Sequence, residues 1–237
     1  MSPLVCIPHA GGGASTFVPW QRTLGHRVLA VTLPGRESRI CEPPLARITD
    51  MAAWVVADLL RREVEDAVLF GHSMGALVAY EVARRLPRSA SPAIARLVVS
   101  GCQCPSAFSP DRLSEIDDDD AFLHAVSEYG GLPAGLLACE ELKAYAVSVL
   151  RADLAACDRY QFKPGPPLSI PVLAFAGRQD ARVSLAEMGG WSKHTTSAFD
   201  LRVLPGGHFF LADHMDAMLS AILNWNEEHG YVDRPSV

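Results

Sequence analysis

A serine flanked by glycines is the residue best placed to do chemistry in this chain of 237 residues. The segment Gly71-His72-Ser73-Met74-Gly75 follows an apolar run at residues 67–70 and precedes a stretch with helical spacing at residues 76–86. A strand, a sharp turn and a helix in this order predict a nucleophile elbow, where the serine backbone is strained and flanking glycines avoid a steric clash. Ser73 could instead cap the following helix, but a cap needs no flanking glycines. We therefore predict that Ser73 is a nucleophile.

A serine hydroxyl needs a general base, and in folds built around such an elbow the acid and then the histidine follow the serine along the chain. Among the histidines after Ser73, His208 directly follows a predicted strand through a flexible loop, Pro205-Gly206-Gly207. We predict that His208 is the base, with His214 on the following helix as the alternative. His72 is adjacent to the nucleophile, so its side chain is predicted to point away from the hydroxyl and to pack or hydrogen-bond locally.

The carboxylate that would orient the imidazole is predicted to be Asp180. It follows the apolar run at residues 170–176 through the short segment Gly177-Arg178-Gln179, which is where an orienting acid would reach the histidine. Asp180 could alternatively close an Asx turn. Asp200 is the other candidate acid, but its place at the start of a strand favours a cap or a surface role.

A glycine-rich segment, Pro8-His9-Ala10-Gly11-Gly12-Gly13, comes directly after the first predicted strand. Glycine-rich turns allow backbone N–H groups to point into a site where an oxyanion forms. Phosphate binding is the alternative, but the segment lacks both common phosphate-loop patterns. We predict that the backbone amides of Ala10 and Met74 form the oxyanion hole, since Met74 is the residue after the nucleophile.

Short apolar runs alternate with helical stretches along the chain, which predicts a mostly parallel central sheet with helices on both faces. The alternation lapses between Pro105 and Pro167, and an insertion leaving a strand at its carboxyl end would cover the ligand-binding edge of such a sheet. We predict a single α/β-hydrolase domain over residues 1–237 with a helical lid at about 105–167. The predicted strands are residues 4–7, 27–33, 67–70, 96–100, 170–176 and 201–204. The predicted helices are residues 14–24, 49–64, 74–86, 119–129, 140–160 and 212–228.

Composition excludes several classes of function. The chain has 49% hydrophobic and 20% charged residues, a net charge of −6 and a pI near 5.7, which favours one folded core and argues against nucleic acid as a partner. No apolar run is long enough to span a membrane and no signal-peptide pattern is present, so we expect a cytoplasmic protein. We expect the six cysteines to be reduced. We predict no metal site, because the pair Cys102 and Cys104 has no second ligand pair at suitable spacing.

Five segments together closely resemble the type II thioesterases of polyketide and nonribosomal peptide synthesis, and they span nearly the whole chain. They are Pro8-His9-Ala10-Gly11-Gly12, Leu33-Pro34-Gly35-Arg36-Glu37, Gly71-His72-Ser73-Met74-Gly75, Leu150-Arg151-Ala152-Asp153 and Pro205-Gly206-Gly207-His208-Phe209-Phe210. The sequence departs from the family pattern at Arg178, beside the predicted acid, and at Cys157, where an acidic residue is common. The second departure lies in the predicted lid, so it bears on acyl-chain preference.

The resemblance implies an editing enzyme that hydrolyses acyl groups from the phosphopantetheine arm of acyl or peptidyl carrier domains. It implies the same triad and the same oxyanion amides, with the helical insertion shaping the acyl chamber. No metal or redox cofactor is implied, because the substrate itself carries the phosphopantetheine, and we expect a monomer.

Other functions and one further contact are open at this point. The alternatives are a carboxylesterase or lipase of free esters, an acyltransferase or cyclising enzyme on the same triad, and a catalytically silent carrier-binding protein.

Arg36 and Arg39 follow the second predicted strand and are predicted to contact the phosphate of pantetheine or an acidic carrier face, since arginine binds phosphate well. The alternative for both is a solvated loop position.

Overall fold

The computed structural model describes residues 2–86, 93–132, 135 and 139–228. The strands are β1 Leu4–Ile7, β2 Val28–Ala30, β3 Ala67–His72, β4 Ile94–Ser100, β5 Val172–Gly177 and β6 Phe199–Leu204. They form one parallel sheet in the order β2-β1-β3-β4-β5-β6. This confirms the predicted sheet. Strand β3 is longer than predicted because Gly71 and His72 still pair with Val99 and Ser100 of β4, so that the strand runs directly into Ser73.

Seven α-helices connect or follow the strands within the described residues. They are α1 Val18–Leu24, α2 Ile48–Arg61, α3 Met74–Arg85, α4 Asp119–Ser127, α5 Glu140–Asp158, α6 Leu185–Gly189 and α7 Met215–Glu228. The predicted first helix starts as a 3-10 turn, and its α-helical part begins beside Pro19, which is favourable in a first turn. Helix α6 was absent from the sequence prediction. A capping box between Ser184 and Glu187 stabilises its start.

Alternate strand residues face opposite layers of the core. Val5 and Ile7 of β1 pack with α2 and α3, whereas Leu4 and Cys6 pack with α1 and α7. Both faces of the sheet are therefore buried, which explains why the strands read as continuous apolar runs rather than as alternating ones. Burial of each large aliphatic side chain contributes about 2 kcal/mol to the free energy of unfolding.

The segment between β4 and β5 carries α4 and α5, as the predicted insertion requires. These two helices share a small separate core that includes Phe122, Val126 and Leu150. Farther along α5, Ala156 and Cys157 join the main core of the sheet. The carboxyl-terminal part of α5 is thus fixed to the domain.

Local contacts account for two further features of the sequence. Cys102 and Cys104 follow β4 and are buried, and all six cysteines are free thiols. The acidic run at residues 117–120 opens α4, where the Asp118 carboxylate accepts a hydrogen bond of 2.8 Å from the Ala121 amide. None of the helices in the described part of the chain combines the length and apolarity needed to cross a bilayer.

Candidate active site

Ser73 lies on a strained turn between β3 and α3. Its backbone has φ 53° and ψ −121°, a conformation that costs a non-glycine residue about 1–3 kcal/mol. A Cβ atom on Gly71 would lie 2.1 Å from the Gly75 carbonyl oxygen, and one on Gly75 would lie 2.3 Å from the Ile7 carbonyl oxygen. The glycines are therefore required by close backbone contacts. The Ser73 side chain makes no capping hydrogen bond to α3, so the alternative of a helix cap is wrong.

The structure brings together the three side chains predicted to form the triad. The Ser73 Oγ atom is 3.1 Å from Nε2 of His208. The other ring nitrogen of His208, Nδ1, is 2.9 Å from Oδ2 of Asp180. This chain of hydrogen bonds has the geometry in which a histidine removes a proton from a serine while a carboxylate fixes its tautomer.

Asp180 is held by the backbone as well as by the histidine. Its second oxygen, Oδ1, accepts hydrogen bonds from the amides of Arg182 at 2.8 Å and Val183 at 3.2 Å. Burial raises the pKa of Asp180, but the hydrogen bond and charge of His208 and the two amides outweigh it, so the net pKa is lowered. The residue thus closes an Asx-type turn and also faces the histidine, so the two interpretations made from the sequence are compatible.

The alternative candidates for the triad lie elsewhere. Asp200 is on β6 and forms a partly exposed ion pair of 2.7 Å with Arg202. His214 lies just before α7. His72 is fully buried and its Nδ1 atom is 3.0 Å from the Ser100 hydroxyl, which confirms the predicted local hydrogen bond.

The residues predicted to donate to the oxyanion both lie beside the serine. Met74 lines one of the two cavities that include Ser73, and Ala10 lines the other. Gly11, the residue after Ala10, has φ +78°, in the region that favours glycine. The assignment of the two amides as oxyanion donors stays a prediction.

A chamber with two arms opens from Ser73 and His208. The first arm, the polar arm, has a volume of about 90 Å³ and contains polar groups of Gln103, Asp111 and Arg182. The second arm, the apolar arm, has a volume of about 60 Å³ and is lined mainly by apolar side chains. The apolar residues of the second arm are Leu113, Val126, Leu132, Leu150, Leu154 and Phe209. Residues of the insertion therefore form much of the wall over the nucleophile.

The prediction that Arg36 contacts a phosphate or a carrier is wrong. Its side chain is 1% exposed and forms two hydrogen bonds, of 2.6 and 2.7 Å, with the carboxylate of Asp153. Arg39 is partly exposed, lies 2.5 Å from Glu42 and stacks over Trp54 at 4.6 Å. A carrier contact of Arg39 stays a prediction.

Sequence reasoning missed the residues that cover His208. The Tyr129 ring packs edge-on against the His208 ring at 5.5 Å between centroids. The Arg182 guanidinium stacks over Tyr129 at 4.1 Å and forms ion pairs with Asp111 and Glu128. No local pattern marks these residues, because they meet only when the insertion folds onto the loop after β5.

Cys157, where the sequence departs from the family pattern, lines the polar arm. This departure therefore lies in the chamber wall.

Three histidines, the buried His72 and His194 and the partly buried His9, predict a loss of stability in mild acid. Burial lowers the pKa of each below the ordinary value of 6.5. Below pH 6.5 the unfolded chain therefore binds more protons than the folded protein, and the free energy of unfolding falls as the pH falls. The slope reaches about 1.4 kcal/mol per pH unit for each histidine. The thermal midpoint, measured by calorimetry between pH 7.5 and 5.5, should decrease with falling pH.

The slope of this decrease is the diagnostic quantity. A His194→Gln variant should lose less stability on acidification than the wild type, whatever its midpoint at pH 7.5. The exposed His26 offers a matched control, because His26→Gln should keep the wild-type slope. A midpoint that does not change with pH in the wild type would contradict the account.

Comparison with known proteins identifies the family. The sequence matches the thioesterase domain family over residues 2–225. The chain belongs to this family. A relative, the thioesterase PikA5 of Streptomyces venezuelae, is 40% identical over 213 residues, which cover 89% of this chain and 75% of that protein.

Solved thioesterase structures have the same fold. The type II thioesterase BorB from the borrelidin biosynthetic cluster superposes with a TM-score of 0.86 at 36% identity, covering 94% of this chain and 92% of that one. RedJ, the thioesterase of the prodiginine pathway in Streptomyces coelicolor, gives 0.84 at 39% identity, covering 93% and 89%. These similarities confirm the resemblance to type II thioesterases and the α/β-hydrolase fold. The protein is thus a thioesterase-family enzyme, as predicted.

Proposed function

We propose that this thioesterase hydrolyses acyl groups from the phosphopantetheine arm of carrier domains and so clears unwanted acyl thioesters from a biosynthetic assembly line. The observation that carries the proposal is the hydrogen-bonded chain from Ser73 through His208 to Asp180, at the floor of a chamber with two arms. A thioester needs two paths away from the nucleophile, one for its acyl chain and one for its thiol. The two arms provide them.

The first half of the reaction forms an acyl-serine. Ser73 Oγ attacks the thioester carbonyl carbon while His208 Nε2 accepts the hydroxyl proton, and Asp180 holds the proton on Nδ1. The negative charge that develops on the carbonyl oxygen is stabilised by the amides of Ala10 and Met74. The carbon–sulfur bond then breaks, and the departing pantetheine sulfur takes the proton from His208.

The second half of the reaction releases a free acid. His208 removes a proton from a water molecule, which attacks the acyl-serine carbonyl, and Ser73 Oγ leaves and is reprotonated by His208. Every proton moves between the substrate, water and these side chains. The proposed chemistry therefore needs no metal or redox cofactor.

The lining of the apolar arm supports an acyl chain as its occupant. Its volume of about 60 Å³ is enclosed mainly by aliphatic and aromatic side chains, which a hydrocarbon chain can contact without leaving a polar group unsatisfied. The polar arm leads past Gln103, Ser109 and Asp111, whose side chains can hydrogen-bond the two amides of a pantetheine chain. We assign the apolar arm to the acyl chain and the polar arm to pantetheine.

Loading one carrier domain with a series of acyl groups tests this proposal. Acetyl, butyryl, hexanoyl and decanoyl carriers are incubated with the enzyme, and release is followed by intact-protein mass spectrometry. The matched small substrates are the N-acetylcysteamine thioesters and the ethyl esters of the same acids. We expect release of free acid from carriers, faster cleavage of thioesters than of ethyl esters, and a rate that depends on the length of the acyl chain.

Each rival function predicts a different result. A carboxylesterase would cleave the ethyl esters at least as fast as the thioesters. An acyltransferase or cyclising enzyme would yield a product other than the free acid. A silent carrier-binding protein would release nothing, although it would still bind the loaded carrier. Any of these results would contradict the proposal.

A further inference from the structure

The glycine-rich segment at residues 8–13 contributes a predicted oxyanion donor but has few side chains of its own to hold it. A glycine backbone loses more conformational freedom on folding than any other. A donor aimed at the oxyanion must nevertheless be fixed before the reaction, because its contribution depends on preorganisation. Contacts from outside the segment must therefore supply the rigidity.

One buried ion pair supplies such contacts. Oδ2 of Asp153 accepts a hydrogen bond of 2.8 Å from the Gly11 amide. Nη1 of Arg36 donates a hydrogen bond of 3.0 Å to the Gly12 carbonyl. The two side chains also bind each other, with Nη1 to Oδ2 at 2.6 Å and Nη2 to Oδ1 at 2.7 Å. The pair thus holds the backbone at two successive glycines.

The peptide group between Ala10 and Gly11 is held at both ends. Its N–H donates to Asp153, and its carbonyl oxygen accepts a hydrogen bond of 2.9 Å from Nδ1 of His9. The Ala10 N–H, the predicted oxyanion donor, belongs to the preceding peptide group. The carbonyl oxygen of that group, on His9, accepts a hydrogen bond of 3.0 Å from the Gly12 amide. Because Gly11 and Gly12 are both held by the ion pair, the Ala10 N–H is restrained from the two neighbouring peptide groups.

The buried ion pair contributes little to the free energy of unfolding, so stability alone does not explain it. The Arg36 and Asp153 side chains are 1% and 0% exposed. Two charges taken out of water lose solvation that their mutual attraction barely offsets, and apolar residues of similar volume often serve stability equally well. Apolar residues cannot, however, bind the Gly11 amide or the Gly12 carbonyl. The specific contribution of this pair is to the glycine backbone.

Asp153 also places the glycine segment against the wall of the chamber. It is on α5, one turn after Leu150, and Leu150 lies so close that a Cβ atom on Gly11 would be 2.5 Å from its Cδ2 atom. The same helix therefore lines the apolar arm and orients the segment beside it.

We propose that Arg36 and Asp153 are positioning residues that orient the Ala10 amide toward the oxyanion. This inference rests on the proposed acyl-serine chemistry. It predicts that the pair acts on the transition state and barely on the binding of substrate. Asp153 is thus a second essential carboxylate whose role differs from that of Asp180.

The test replaces both charges by apolar side chains. In an Arg36→Met and Asp153→Leu double variant, no buried charge is left without a partner, so folding should be retained. With an N-acetylcysteamine thioester, we expect kcat to fall by about 100-fold, as for the loss of one oxyanion donor, while KM changes by less than about threefold. Affinity for a trifluoromethyl ketone analogue, which forms a tetrahedral adduct with Ser73, should fall by the same factor as kcat/KM.

Two further variants keep the test decisive. Asp153→Asn retains an acceptor for the Gly11 amide, so it should lose less kcat than the double variant does. Glu81 is a matched control, since it is 6% exposed and pairs with Arg84 and Arg85 away from the glycine segment. Glu81→Gln should lower the thermal midpoint with wild-type kcat.

The outcomes separate this inference from the proposed function. A folded double variant with wild-type kcat and wild-type analogue affinity would overturn the positioning role. A parallel loss of kcat in Glu81→Gln would also overturn it, since stability would then account for the effect. A wild-type enzyme that fails to cleave the thioester would instead refute the proposed function.

Discussion

Replacing Ser73 with alanine is expected to lower kcat for thioester hydrolysis by about 10⁶-fold. The variant keeps the oxyanion amides and the chamber, but it has no oxygen that can form the acyl-enzyme. The thermal midpoint should stay near that of the wild type, because alanine also carries a Cβ atom and adopts the strained backbone of this turn at a similar cost. The measurement is release of acid from the N-acetylcysteamine thioester, together with mass spectrometry for an acyl adduct on the protein.

A second serine and histidine pair provides a matched control. The Ser106 hydroxyl is 2.9 Å from Nε2 of His194, a contact as short as that in the proposed triad. The other ring nitrogen of His194 faces the Tyr80 hydroxyl at 3.1 Å rather than a carboxylate. Ser106→Ala should keep wild-type kcat. Residual activity above about 1% in Ser73→Ala, or a large loss in Ser106→Ala, would remove Ser73 from the mechanism.

Replacing Asp180 with asparagine is expected to lower kcat by about 10⁴-fold. The physical reason is the pair of amides, of Arg182 and Val183, that donate to Oδ1. An asparagine would place its single oxygen toward these donors and turn its NH₂ group toward His208 Nδ1. The imidazole would then carry its proton on Nε2 and could not accept the proton of Ser73.

The control for this prediction is the other candidate acid. Asp200 is partly exposed and bonded to Arg202, so Asp200→Asn should leave kcat within about twofold of the wild-type value. Because the surroundings of Asp180 lower its pKa below the ordinary value of 3.8, this carboxylate stays ionised throughout the range in which the protein is assayed. A large loss in Asp180→Asn should therefore persist at both pH 6 and pH 8. A variant that recovers at either pH would contradict the tautomer argument.

The triad could be predicted from the sequence because each member leaves a local signal. Ser73 has glycines two residues away on both sides, since a Cβ there would collide with the backbone. His208 and Asp180 each follow a buried strand, and in a parallel sheet all strand ends of one polarity meet at one edge. Chain order and strand periodicity were thus sufficient to bring three distant residues together.

The fate of the arginines could not be predicted in the same way. From the sequence, Arg36 was expected to be a loop cation near the ligand-binding edge of the sheet. The structure instead buries it against the carboxylate of Asp153, which lies 117 residues farther along the chain. A charged side chain is buried only where another element of the fold places a partner of opposite charge beside it. No local sequence pattern specifies that tertiary contact. The same reason hid Tyr129 and Arg182, which meet through the folding of the insertion.

The sequence by itself determined the parallel sheet, the strained turn at Ser73, the proximity of Ser73, His208 and Asp180, and the family, because these depend on local sterics and on the period of apolar residues. Only the tertiary structure decided which cations are buried, which side chains wall the two arms, and what holds the glycine segment in place. Those properties arise from contacts between elements far apart in the chain, where the free energy depends on the exclusion of water and on partners that the local sequence does not specify.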